Sequence, residues 1–132
     1  MREKNLNQKT FAQIIGISES RITDYIHNEK LPTIENLVKM ADYFHCSADL
    51  LLGRKYESAH KNFNSPAPLA ERIVYLTKYF GYTPKRIFNE SDIKKSRYYQ
   101  WINGARKPSL DNVIKLADLF DCSVDFVLGR ES

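Results

Sequence analysis

A chain of 132 residues is long enough for one ordinary domain or two very small ones, and 42% apolar with 27% charged residues excludes wholesale disorder. No apolar run approaches the ~18 residues of a membrane span, and MREKNLNQK at the start lacks the hydrophobic region of a secretory signal. The formal charge of +4 permits a nucleic-acid partner without specifying one, and two cysteines are too few for a disulfide scaffold or a zinc site of four ligands.

In chain order, the first predicted helix is Gln8–Ile15, where Phe11, Ile14 and Ile15 have the i, i+3, i+4 spacing of one helix face. Ile22, Tyr25 and Ile26 repeat that spacing in a second helix over Ser18–Asn28. Between them Gly16 suits the left-handed conformation that ends a helix, Ser18 suits a cap, and Ala12 is small where two helices must come close. Two short helices joined by such a turn describe a helix-turn-helix, a unit that cannot bury its own apolar face. Pro32 then enforces a loop, and Thr33 caps a helix whose stripe is Ile34, Leu37, Val38, Ala41 and Phe44. Ser47 caps a short closing helix with Leu50 and Leu51, stopped by Gly53. Only Met1 to Asn5 precede Leu6, too few for a full helix ahead of this set. Each missing apolar side chain there removes about 1.5–3 kcal/mol of burial. Unless the start is truncated, the groove left open is expected to be covered by the second half of the chain or by a second chain.

Residues 55–66 fall in the polar stretch KYESAHKNFNSPAP and read as a linker. His45 and His60 stand apart from any carboxylate or cysteine cluster and read as turn or surface histidines. From 67 onward the chain repeats itself. DLLLGR ends at Arg54 and DFVLGR at Arg130, 76 positions on, and 12 of 23 positions across Pro32–Arg54 are identical at that offset. The second copy supplies a first helix, with Leu69, Ile73, Leu76 and Phe80 on one face. Thr83-Pro84 is a cap followed by a helix-starting proline, and Ile87, Ile93, Tyr98, Trp101 and Ile102 continue the core. Ser109 caps a helix with the stripe Leu110, Val113, Ile114, Ala117 and Phe120; Ser123 starts a closing helix with Phe126 and Val127. Cys46 and Cys122 occupy equivalent places and read as small buried thiols. The copies part at the turn, where Phe88 stands for Ala12 and Asp92 for Gly16. A phenyl ring between close helices must change their spacing or angle, so the second turn is expected to be built differently, capped by Ser91 or Asp92.

The early Gln, the small Ala, the turn Gly, NEKLPT and NGARKPS, and the closing LLGR together resemble the Xre/Cro/C1-type helix-turn-helix family of bacterial and phage repressors. The resemblance covers nearly the whole chain. It implies an all-α fold of two tandem lambda-repressor-like bundles, four to five short helices each, with a shortened first helix in the first. The domains are then 1–54 and 67–132. The resemblance also implies operator DNA as partner, with base-reading positions on the first turns of the second short helix. These fall on Glu19, Ser20, Arg21 and Asp24 in the first copy and on Lys95, Ser96, Arg97 and Gln100 in the second. Phosphate contacts fall on Gln8, Ser18, His27, Lys94, Asn103, Arg106 and Lys107. The counterpart of Gln8 is Pro84, which has no donor to offer.

These residue types suit the task. Arginine can hold guanine O6 and N7 together, glutamine can pair both edges of adenine, and carboxylates accept from cytosine N4 while repelling phosphates. Tyr99 can stack or touch a thymine methyl. Residues 1–58 carry 8 basic and 8 acidic side chains, whereas residues 59–132 carry 12 and 8. All the surplus therefore lies in the copy with the less regular turn, and charge weighs more in affinity than motif neatness. The second copy is expected to be the main grip.

The resemblance thus points to a cytoplasmic, nucleoid-associated DNA-binding transcriptional regulator of repressor type. It pairs two reading units either as a homodimer or as an intramolecular pseudo-dimer. The competing expectation is a protein-interaction or antitoxin-like module that keeps the fold and binds DNA weakly. No Gly-rich phosphate loop, metal spacing or nucleophile triad points to an enzyme, a cofactor or a small-molecule ligand.

Overall fold

The computed structural model describes residues 7–27, 29–54 and 63–131. The short start up to Leu6 and most of the linker, His60 included, lie outside the described residues. Among those described, all regular structure is helical. The first copy has α1 (Gln8–Ile15), α2 (Glu19–Ile26), α3 (Ile34–Phe44) and α4 (Ala48–Leu52). The second has α5 (Leu69–Tyr79), α6 (Pro84–Glu90), α7 (Lys95–Ile102), α8 (Leu110–Phe120) and α9 (Val124–Leu128). None of these helices is long and apolar enough to cross a membrane.

Local chemistry sets the boundaries. Asn7, Ser18, Thr33, Ser47, Thr83, Ser109 and Ser123 each accept a hydrogen bond from the backbone N–H three residues on. Each such cap supplies a partner to a donor that the helix itself cannot satisfy. At the other end of α1, Gly16 takes the left-handed conformation at φ 71. His45 and Asp121 close α3 and α8 in that same region, at φ 53 and 54, and both are exposed.

Packing is lopsided. The larger core gathers Ile73, Leu76, Ile87, Tyr98, Trp101, Val113, Leu116 and Val127 of the second copy, and it runs on into Leu37 and Ala48 of the first. A smaller cluster of Phe11, Ala12, Ile17 and Ile22 holds α1 and α2 together under Tyr43 and Phe44. Phe126 of α9 packs against Tyr79 and Phe80 beside α5. Its counterpart Leu50 is 66% exposed, and Val127, fully buried, corresponds to Leu51 at 38%. Among the described residues the second copy does not cover this groove, the first of the two covers the sequence offers; it docks elsewhere, on α3 and α4.

That docking is reciprocal. Ala48 N–H donates to Asp125 Oδ2 at 2.9 Å, and Val124 N–H donates to Asp49 Oδ1 at 3.1 Å. Arg54 binds Asp49 and Asp118, both at 2.6 Å, while Arg130 binds Asp125 and, at 2.9 Å, Asp42. Shifting every partner by 76 positions turns one set into the other, so the copies face each other about a pseudo-twofold axis. The contact is charged yet dry. Asp49, Asp125 and Arg130 are at most 1% exposed, and the Phe63 ring lies 4.6 Å from the Arg130 guanidinium carbon. Burial pushes the Asp125 carboxyl from its ordinary 3.8 up to about 6; the Ala48 amide and Arg130 oppose this, and Asp49 adds to it.

Candidate nucleic-acid interface

α1, the Gly16 turn and α2 form the first helix-turn-helix. Small Ala12 lets the helices close, and Gly16 and Ile17 both donate from their backbones to the Ala12 carbonyl. Gln8 sits at the start of α1, and its side-chain amide donates to the Glu19 carbonyl at 3.1 Å and to Thr23 Oγ1. Both hydrogens of that amide face α2, so the Gln8 side chain ties the two helices together.

In the second copy the turn has another construction. Ser91 is extended at φ −136; its hydroxyl donates to the Ile87 carbonyl and accepts from Ile93 N–H at 3.1 Å. Phe88 fills the place of Ala12, its ring edge-on to Tyr98 at 5.5 Å. Tyr99, 41% exposed, leans on the same ring at 6.2 Å. Lys94 supplies no side-chain cap to α7, unlike its counterpart Ser18 on α2. The opening amides of α7 therefore keep their donors turned outward, a setting that favours anions.

The candidate base readers lie where the sequence placed them. Glu19, Ser20 and Arg21 are exposed on the first turn of α2, and Lys95, Ser96 and Arg97 on the first turn of α7. Asp24 and Gln100 follow one turn later, half-buried, and Asp24 is 3.8 Å from Lys30. No carboxylate among the described residues pairs with Arg21, Lys95 or Arg97.

Most of the phosphate candidates stand at the rim. His27, Lys94, Arg106 and Lys107 are exposed. Ser18, also exposed, uses one lone pair to cap α2, with Arg21 N–H at 3.3 Å, and its O–H is not taken by that bond. The Asn103 side-chain oxygen holds Ala105 N–H at 2.8 Å, which shapes the loop and leaves the amide hydrogens outward.

One arrangement was not visible in the sequence. The loops that follow α2 and α7 line a single cleft between the copies, with Leu31 and Pro32 on one side and Arg106, Lys107 and Pro108 on the other. Elsewhere the chain carries little reactive chemistry. Burial pushes the Cys122 thiol up to about 12, so it stays protonated, and both cysteines are free. No group of three His, Cys, Asp or Glu among the described residues could hold a metal ion.

A helix-turn-helix family model matches the chain twice, over residues 1–51 and 76–127. Over 61 residues the chain is 38% identical to the HTH-type transcriptional regulator AnsR of Bacillus subtilis, covering 46% of this chain and 53% of that protein. Over 50 residues it is 48% identical to the cryptic phage CTXphi transcriptional repressor RstR of Vibrio cholerae, covering 38% and 45%. A third relative, the uncharacterized HTH-type transcriptional regulator YobD of Bacillus subtilis, is 36% identical over 59 residues, covering 45% and 53%. The chain thus spans about half the length of the curated relatives it matches. No solved structure matches it.

Proposed function

Because the chain belongs to this helix-turn-helix family, matched in both of its copies, we propose that it is a sequence-specific DNA-binding transcriptional regulator that acts as a repressor in the cytoplasm. The observation that carries the reading is the pair of exposed first turns on α2 and α7, each with an arginine that no carboxylate among the described residues neutralises. A helix of this size fits the major groove and offers its N-terminal side chains to base edges. Lys94, Arg106 and Lys107 surround α7 with positive charge, whereas Glu19 and Asp24 oppose it on α2. The second copy is accordingly the main grip, and its arginine the main reader. The chain has no catalytic role in this reading.

A second reading is favoured by Ile26, Leu50 and Leu51, three apolar side chains left exposed on the first copy. A protein-interaction module would use those side chains and bind DNA weakly. Selection of bound duplexes from a random pool decides between the two. A regulator enriches a defined site, and Arg97→Ala weakens binding to it by about 1–3 kcal/mol while relaxing one base position. Failure to enrich any site, together with salt-insensitive binding to random fragments, would overturn the DNA-reading proposal.

A further inference from the structure

We propose that one chain reads one complete operator, and that this operator is symmetric in layout but asymmetric in sequence. The inference rests on the DNA-reading function above and adds the kind of duplex involved. Three observations carry it. The crossed bonds from Ala48 to Asp125 and from Val124 to Asp49 set the two copies about a pseudo-twofold axis within a single chain. The loops after α2 and α7 line one cleft, and a twofold axis sets the helices that lead into them at equal heights along it. The reading positions, finally, match only in part: Ser20 and Arg21 recur as Ser96 and Arg97, but Glu19 becomes Lys95 and Asp24 becomes Gln100.

Chemistry turns that pattern into a site. Two arginines related by a twofold axis meet guanines on opposite strands at equivalent distances from the centre. Around those guanines the demands diverge. Beside α7, Lys95 favours guanine or a phosphate, and Gln100 can pair both edges of an adenine. Beside α2, Glu19 and Asp24 accept from cytosine N4 and reject acceptor-rich edges. Two half-sites on one face of the duplex stand about one helical turn apart, roughly 10 base pairs. The halves also differ in grip, since the α7 side brings Lys94, Arg106 and Lys107 to the backbone while the equivalents Ser18, Lys30 and Leu31 bring one charge. Truncating those α7-side cations therefore costs more affinity than truncating Lys30, on every duplex alike.

The test uses the full chain. Duplexes are selected from a random pool, and the stoichiometry on the enriched site is read by native mass spectrometry. The same selection is repeated with the double variant Glu19→Lys, Asp24→Gln, which makes the two reading sets identical, after circular dichroism shows that it is folded. The expected results are one chain per duplex, two unlike halves around a shared pair of guanines, and a near-palindromic site for the double variant. Two chains per duplex, a palindrome selected by the unaltered chain, or a site containing one half only would each overturn the proposal while leaving DNA reading intact. Absence of any enriched site would instead remove the functional reading on which it depends. The wild-type selection and the stoichiometry remain decisive if the double variant does not fold.

Discussion

Replacing Asp49 with alanine should unhinge the two copies. Its carboxylate accepts Val124 N–H at 3.1 Å and, more weakly, Asp125 N–H at 3.4 Å, and it binds Arg54 at 2.6 Å. Val124 is fully buried, so its amide has no water to turn to, and an orphaned buried donor costs about 1–3 kcal/mol. Arg54 keeps Asp118 and is 18% exposed, which limits the cost of its lost partner to about 1–2 kcal/mol. Removing the charge beside Asp125 returns about 1 kcal/mol, because the two carboxylates raise each other's energy. The net loss is about 1–4 kcal/mol, a sizeable fraction of the stability of a domain this size. Urea denaturation at pH 7.5, followed by far-UV circular dichroism, measures it. Asp49→Asn, which keeps an acceptor for the amides, should lose roughly half as much. Asp92→Ala, which removes only the exposed partner of Lys115, should leave the midpoint unmoved. A loss under ~1 kcal/mol for Asp49→Ala would refute the claim that the crossed bonds hold the halves together.

Other outcomes follow from the same coordinates. Lys107→Ala should weaken binding to all duplexes alike and reduce the salt slope by about 1, read from titrations at several salt concentrations. The Asp125 carboxyl is raised by folding, from 3.8 to about 6, so the folded chain holds a proton that the unfolded chain has released between those values. Its contribution therefore grows as pH falls from 7 to 4, by on the order of 3 kcal/mol, and the difference in stability between wild type and Asp125→Asn across that range should report it. Gly53→Ala and Gly129→Ala test equivalent left-handed positions, at φ 72 and 81. A Cβ at Gly53 meets open space, whereas at Gly129 it lies 3.1 Å from Arg72 Cδ and 3.2 Å from Ala67 Cβ. The first should lose about 1 kcal/mol to backbone strain alone. The second should lose more, as judged by thermal melting.

Much of this fold was legible because its signals are local. Helix starts follow from capping side chains three residues from the amide they serve, and Ser18, Thr33, Ser47, Thr83, Ser109 and Ser123 all behave so. The displacement of Ala12 by Phe88 foretold a different second turn, since the volume change is written in the residue itself. What needed coordinates was partnership across the chain. Gln8 reads as a phosphate contact by analogy, and only the position of Thr23 turns it inward. Asp49 and Asp125 look like helix-start carboxylates serving their own helices, yet each caps the other copy's helix. A signal existed: the same aspartate and arginine, five residues apart, recur at 49 and 54 and at 125 and 130, the aspartate within an otherwise apolar closing helix and the arginine just past its end. The placement of the second copy on α3 and α4, rather than over Leu50, left no trace in either repeat alone.

Carrying both partners of the crossed Asp–Arg contact on one polypeptide has a consequence for dosage. Subunits that meet by collision separate on dilution, and their occupancy of a target climbs with the square of concentration when the protein is scarce. Here a tether fixes the local concentration of each partner, so dilution does not part them. Occupancy should then follow a simple hyperbola down to a few molecules per cell, giving a graded response where a collisional pair would impose a threshold.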